Sequence, residues 1–363
     1  MVRGTGRLEA ITRQNELLAE QNDLLREEIE LLRRPSINDS RPCFVDNIDR
    51  DEMRNGFLVT SQRKKLWNVQ IGLINEFARI CNKYNLRWFA LYGTLLGAVR
   101  HKGFIPWDDD VDVAMLRPDY EKFRQIAATE VHSPYFLDVW YNYRFESEGA
   151  SPVDAEGAFQ FVTAEQEKVR GMKWLTQWPS IRLRDNRTTM IDYPDRHFIN
   201  QGIWLDVFPL DPLPPFATKE QTNFFETAGI LLLATASPAL IRSAIQNNQK
   251  FIISHEELKK FLSRPFRERG GIYDSFMNKN FFMSEHIGEI RDHCLTKGHK
   301  SYHSKDFTNV TYLPFERIEL PAPADYDSVL TSCYGSNWRT PIYTHSHANI
   351  YSTDIPWTEY FKR

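Results

Sequence analysis

An α/β (α+β) fold, carrying a helical insertion and an N-terminal coiled coil, is predicted by three features of the chain. Short runs at residues 87–92, 110–115 and 203–208 have the length and apolar content of buried or half-buried strands, and helical patterns separate them. After Pro215 the chain reads as helical through about residue 297. Residues 8–32 carry a heptad seam. The chain is long enough, at 363 residues and 42% hydrophobic, to bury a core in one large domain or two.

The elements follow in order. Leu8, Ile11, Asn15, Leu18, Asn22, Leu25, Ile29 and Leu32 alternate spacings of three and four, as coiled-coil a and d positions do. Asn15 and Asn22 at a positions favour a parallel homodimer in register, because each Asn can bond its twin. Pro35 ends that helix, and the polar stretch to residue 60 reads as a linker. Leu66, Leu73, Phe77, Ile80 and Tyr84 share one face of a helix over 61–84. Pro118 opens a helix through Glu130. Strands are expected at 135–141, 180–185 and 308–317, a loop at 146–158, a turn at 185–188 and a helix at 326–334.

Composition narrows the function. A net charge of -3 argues against general nucleic-acid binding. Cys43, Cys81, Cys294 and Cys333 are far apart and form no Cys-x-x-Cys pair, which points to a reducing compartment and no zinc site built from them. The apolar run 228–241 contains Pro238 and is shorter than the roughly 20 residues a membrane span needs. With a polar N-terminus, the expectation is a cytoplasmic protein, or one held peripherally at the inner membrane face. His345 and His347 read as surface histidines of a polar tail.

The chemistry concentrates between Leu91 and Ala114. In a strand over 110–115, Val111 and Val113 face one way and Asp110 and Asp112 the other. Two carboxylates that close repel unless a cation neutralises them, and Mg²⁺ with its preference for hard oxygen ligands suits the pair. Asp108 joins their face only if the strand begins that early, and Pro106 works against an early start. Upstream, an apolar strand leads to Gly93, with Thr94 as N-cap of a short helix. A strand, a glycine and a helix N-terminus form a phosphate-binding corner, to which Arg100 and Lys102 add positive charge. Farther along, Asp206 sits in an apolar strand, which is costly unless it binds metal or pairs with an arginine such as Arg182 or Arg184.

The segment 93–112, GTLLGAVRHKGFIPWDDDVD, resembles the signature of the LicD family, which is related to fukutin and fukutin-related protein within the nucleotidyltransferase superfamily. Residues 203–211, IWLDVFPLD, and residues 320–330, LPAPADYDSVL, with Tyr334-Gly335 beyond, resemble its second and third segments, so the likeness spans about 61–345. The resemblance implies a nucleotidyltransferase-like mixed sheet in which Asp110, Asp112 and Asp206 hold Mg²⁺ (or Mn²⁺) and Gly93 and Thr94 grip phosphate. With the heptad seam and the polar stretch after it, the chain divides into a coiled-coil helix (1–34), a linker (35–60), the catalytic core (61–215), a helical insertion (216–307) and the C-terminal part of the core with a tail (308–363).

The activity so implied moves a phosphorylated alcohol from a CDP-linked donor to a hydroxyl of a cell-surface glycan in capsule, lipopolysaccharide or teichoic acid. In-line attack releases CMP. Phosphocholine is the usual bacterial group, with CDP-ribitol and CDP-glycerol as alternative donors. In this scheme Arg100 or Lys102 offsets charge on CMP, and Asp108 or Asp206 takes the hydroxyl proton. A nucleotidylyltransferase that makes the donor, or a non-catalytic coiled-coil scaffold, are the competing readings.

Overall fold

The computed structural model describes residues 42–139, 142–146, 149, 151, 160–166, 179–192, 199–296, 300–343 and 350–362. The coiled-coil heptads at 8–32 and the histidines at 345 and 347 lie outside the described residues.

The chain enters the domain earlier than its polarity implied. Residues 43–60, read as a linker, hold a hairpin of β1 (Glu52–Arg54) and β2 (Phe57–Val59). Asn55 and Gly56 both take positive φ, 50° and 78°, as a two-residue hairpin turn demands. Val45 and Val59 are fully buried anchors, and Arg54 pairs with Glu316 at 2.6 Å. Buried valines and ion pairs, Lys64 with Glu52 at 2.9 Å among them, dock a stretch whose average composition is polar.

Helix α1 (Ser61–Lys83) follows, with Thr60 as N-cap accepting from the Arg63 N–H. Leu66, Leu73, Phe77 and Ile80 are all fully buried along one face. Each contributes on the order of 1.5–3 kcal/mol by leaving water. The expected strand at 87–92 shortens to β3 (Phe89–Ala90), because Leu91 and Tyr92 are drawn into the start of α2 (Tyr92–His101). Next come β4 (Asp112–Leu116), α3 (Arg117–Glu130) with its early proline, and β5 (Tyr135–Asp138). β6 (Tyr143–Phe145) and β7 (Gln160–Val162) pair in parallel. β8 (Ile181–Asp185) and β9 (Thr189–Ile191) flank the expected turn, which closes with a bond from Thr188 N–H to the Asp185 carbonyl. The long β10 (Ile203–Leu213) completes this half.

The segment after Pro215 is less uniformly helical than its composition implied. It holds α4 (Lys219–Ala236), α5 (Pro238–Gln246), α6 (His255–Leu262) and α7 (Phe266–Asn280), then returns to the sheet as β11 (His286–Gly288) and β12 (Tyr302–His303). The helices have their own core around Phe224, Leu232, Tyr273 and Met277. No single helix among the described residues is long and apolar enough to cross a membrane, and α4 bends into α5 by 111°. The single strand expected at 308–317 is a hairpin, β13 (Val310–Phe315) with β14 (Ile318–Pro323), ahead of α8 (Tyr326–Tyr334). Near the C-terminus β15 (Ile350–Ser352) pairs with β9.

Among the described residues, seven strands form one mixed sheet, with the path β12-β11-β10-β4-β3 and a branch from β10 through β8 to β5. β10 organises it. Its first half runs antiparallel to β8, its middle parallel to β4, and its last residues antiparallel to β11. A buried ion pair ties the start of α3, directly after β4, to β10: the Arg117 guanidinium donates twice to Asp211, at 2.7 Å each, and once to Glu121 at 3.0 Å. In the parallel register of β4 with β10, Asp112 lies directly beside Asp206.

Candidate active site

Three elements converge on a cleft of about 480 Å³ lined by Tyr92 and Gly93 at the start of α2, by Asp108, Asp110 and Asp112, and by residues from the region of α8. The acidic turn is held by its backbone. Arg63 and Trp67 of α1 donate to the Asp108 carbonyl, at 2.8 and 3.1 Å, and Gln70 donates to the Asp109 carbonyl at 2.7 Å. Those bonds satisfy main-chain acceptors in a tight turn and leave the carboxylates to the cleft.

Asp112 opens β4, while Asp110 lies just ahead of it, outside the strand. Both nonetheless line the cleft, together with Asp108. Asp108, left conditional on the strand's start, is therefore present without belonging to the strand. Burial, and then the nearby charge of Asp110, hold both the Asp108 and Asp112 carboxyls well above the usual carboxylate range. Asp206 adds to the effect on Asp112.

Thr94 does not cap the helix. α2 begins two residues earlier, with Leu91 as N-cap and no side-chain cap bond. Thr94 is instead buried, and its hydroxyl accepts from the Asp112 N–H at 2.8 Å, which ties the helix to the acidic strand. Tyr92 takes a left-handed φ of 44°, a conformation costing about 1–3 kcal/mol for such a residue. That kink delivers its hydroxyl to Glu289, at 2.5 Å, and brings its ring under the Lys300 ammonium, at 4.0 Å.

Gly93 leaves room for the Asp108 carboxylate. A Cβ built there meets Asp108 Oδ2 at 2.5 Å. Gly93→Ala is expected to displace the Asp108 carboxylate and lower turnover by roughly a hundred-fold, in line with a misplacement of about 1 Å at a reacting centre. Its Tm should stay close to wild type, and full retained turnover would remove Gly93 from the site.

Of the two predicted cations, Arg100 lines the cleft and donates to the Trp338 carbonyl at 3.1 Å. Lys102 does not line it. α2 ends at His101, and Lys102 takes a left-handed φ of 56° that turns the chain outward, leaving its side chain exposed. Lys300 stands in the cleft instead. Sequence reasoning missed it, since it lies far along the chain in the region assigned to the helical insertion. Glu289 was also missed. It is buried, and burial pushes its carboxyl up to about 7.

Asp206 is placed beside Asp112, as its strand position implied, but its carboxylate is met by protein donors. Arg182 donates to it at 2.8 Å and Trp204 Nε1 at 2.8 Å. It is not among the residues lining the cleft. The arginine pairing weighed for this residue is thus the arrangement seen. Arg182 also stacks over the Trp204 ring at 4.1 Å.

Fold and site together define a mixed α/β domain that turns a cluster of carboxylates, a glycine and two cations toward one cleft. The family described as LicD/FKTN/FKRP, nucleotidyltransferase domain, matches residues 85–215. The lipopolysaccharide cholinephosphotransferase LicD of Haemophilus influenzae is 41% identical over 281 residues, covering 75% of this chain and 90% of that protein. An uncharacterised protein of Rickettsia typhi is 28% identical over 208 residues, covering 57% of this chain and 61% of its own length. The chain belongs to the LicD family, and it is an enzyme of the LicD phosphotransferase type.

Proposed function

We propose that the protein transfers phosphocholine from a CDP-linked donor to a hydroxyl of a cell-surface glycan, releasing CMP. The observation that carries this reading is one cleft that joins Asp108, Asp110 and Asp112 to an aromatic wall of Trp107, Tyr334 and Trp338. Aromatic faces attract a quaternary ammonium and offer nothing comparable to a neutral polyol. The H. influenzae relative, a lipopolysaccharide cholinephosphotransferase, favours the same group.

The donor set fits a divalent ion. Carboxylate oxygens of Asp108, Asp109 and Asp110 lie within 4.8 Å of one another, and all are hard donors suited to Mg²⁺ or Mn²⁺. Asp110, from that cluster, would hold it with Asp112, which lines the same cleft, and a bound ion would supply charge neutralisation to the donor pyrophosphate. Asp206, held by Arg182, acts in this reading through its charge on Asp112.

The chain's own groups do the rest. Tyr92 and Gly93 open the uncapped end of α2 to a phosphate, where helix N–H groups favour an anion. Arg100 and Lys300 place positive charge on the same cleft to stabilise the departing nucleotide. Asp108, which lines the same cleft, takes the proton of the attacking hydroxyl.

The test supplies Mg²⁺ with CDP-choline, CDP-ribitol or CDP-glycerol and a lipopolysaccharide acceptor. The expected outcome is CMP from CDP-choline with phosphocholine on the glycan. Preferential use of CDP-ribitol would overturn the choline assignment. In a parallel assay with CTP and phosphocholine, release of pyrophosphate with formation of CDP-choline would identify a nucleotidylyltransferase.

A further inference from the structure

We propose a second metal site, for a borderline-soft divalent ion such as Zn²⁺, on the edge ribbon formed by β11 and β12. His286 and His303 are directly opposite each other across this antiparallel pair, with ring centroids 4.7 Å apart. Glu285 precedes His286, and one donor atom from each of the three lies within 4.8 Å of the others. Two imidazoles and a carboxylate form a ligand set that zinc takes at about 2.0–2.2 Å, leaving an open position to solvent. A set richer in nitrogen than oxygen also separates this ion from the hard cation suited to the acidic cleft.

The backbone holds the donors in place. The Ser304 N–H bonds the Glu285 carbonyl at 2.9 Å, next to the paired histidines. Ile287 and Tyr302, the neighbouring pair in the ladder, are buried and anchor the ribbon to the core. Ser301 Oγ stands 3.3 Å from His286 Nδ1, the kind of outer contact that fixes the orientation and tautomer of a ligating imidazole.

The location gives the ion a consequence. His286 and His303 bracket the segment that carries Glu289 and Lys300, the partners of Tyr92 in the cleft. Zinc bridging the two strands pins both ends of that segment and so steadies one wall of the cleft. The inference does not depend on which alcohol phosphate the enzyme transfers.

The experiment titrates Zn²⁺ into the full chain, stripped of metal and then kept in excess Mg²⁺ so that the acidic cleft does not compete. One Zn²⁺ per chain is expected, with Kd on the order of 1 µM or tighter. Co²⁺ in its place should give the visible absorption of nitrogen-ligated cobalt, and amide exchange in β11 and β12 should slow on binding. His286→Asn and His303→Asn should each weaken binding by more than about 100-fold, exceeding the roughly 10–100-fold of a lost outer partner. Both variants should melt like wild type in EDTA, and Glu285→Gln provides a third variant at an exposed position. Absence of Zn²⁺ binding, or binding unchanged in His286→Asn and His303→Asn, would overturn the proposal.

Discussion

Asp112→Asn is expected to abolish transfer and yet raise the melting temperature of the metal-free protein. Turnover should drop at least about a thousand-fold, roughly 4 kcal/mol of transition-state stabilisation. The gain in stability follows from the site's electrostatics. Burial, with Asp110, Asp206, Asp108 and Glu289 nearby, keeps the Asp112 carboxyl well above the usual carboxylate range. The folded state therefore binds more protons than the unfolded state once pH passes the ordinary carboxylate value. Stability then falls as pH rises through the window up to the folded value. An asparagine stays neutral and escapes that loss. Thermal unfolding in EDTA between pH 4 and pH 8 should show a flatter curve for the variant. Above about pH 5 its Tm should be higher by roughly 2–4 °C for each kcal/mol relieved. An unchanged pH slope, or transfer at the wild-type rate, would contradict this account of Asp112.

Asp211→Ala should produce the largest loss of stability. Arg117 and Asp211 are both fully buried, and the carboxylate receives two short bonds from the guanidinium. Truncating the acid strands a buried positive charge that Glu121 only partly satisfies. A cost of about 3–5 kcal/mol is expected, as for other broken buried pairs, with Tm falling on the order of 10 °C. Because Arg117 follows β4 directly and Asp211 lies in β10, the packing of Asp112 beside Asp206 should loosen with the pair. Calorimetry checks the first effect, and Mg²⁺-dependent CMP release at a temperature where the variant is folded checks the second. A variant as stable as wild type would show that the ion pair is dispensable.

Local pattern was a good guide where one segment supplied its own evidence. The face of α1, with Leu66, Leu73, Phe77 and Ile80, follows from 3.6-residue spacing and is buried as read. The acidic motif and Asp206 were also legible, because a charged residue among valines and leucines is costly and therefore conspicuous. The hairpin at Asn55-Gly56 was written in its turn residues, but a polar average masked it. The helix N-cap expected at Thr94 lies three residues earlier, at Leu91, because cap preference is a local rule. Here the left-handed Tyr92 starts the helix early and frees the threonine hydroxyl for Asp112.

Other features had no local signal. Lys300 reaches the cleft, and Glu289 reaches Tyr92, only because β11 and β12 return to the sheet after four helices. Their own neighbourhoods in the chain are indistinguishable from a surface loop. The Arg182–Asp206 pair depends on the antiparallel register of β8 with β10, which places these two residues opposite each other.

By itself, the sequence determined the chemistry on offer: a carboxylate cluster, a glycine turn ahead of a helix, and strands able to bury their flanks. These are properties of residue type and short spacing, and they survive any arrangement of the chain. The tertiary structure alone decided the partners. It paired Asp206 with Arg182, turned Lys102 away, and brought Lys300 across to Tyr92. The reason is that charge interactions act through distance, and distance between residues far apart in the chain is set only when the sheet closes around β10.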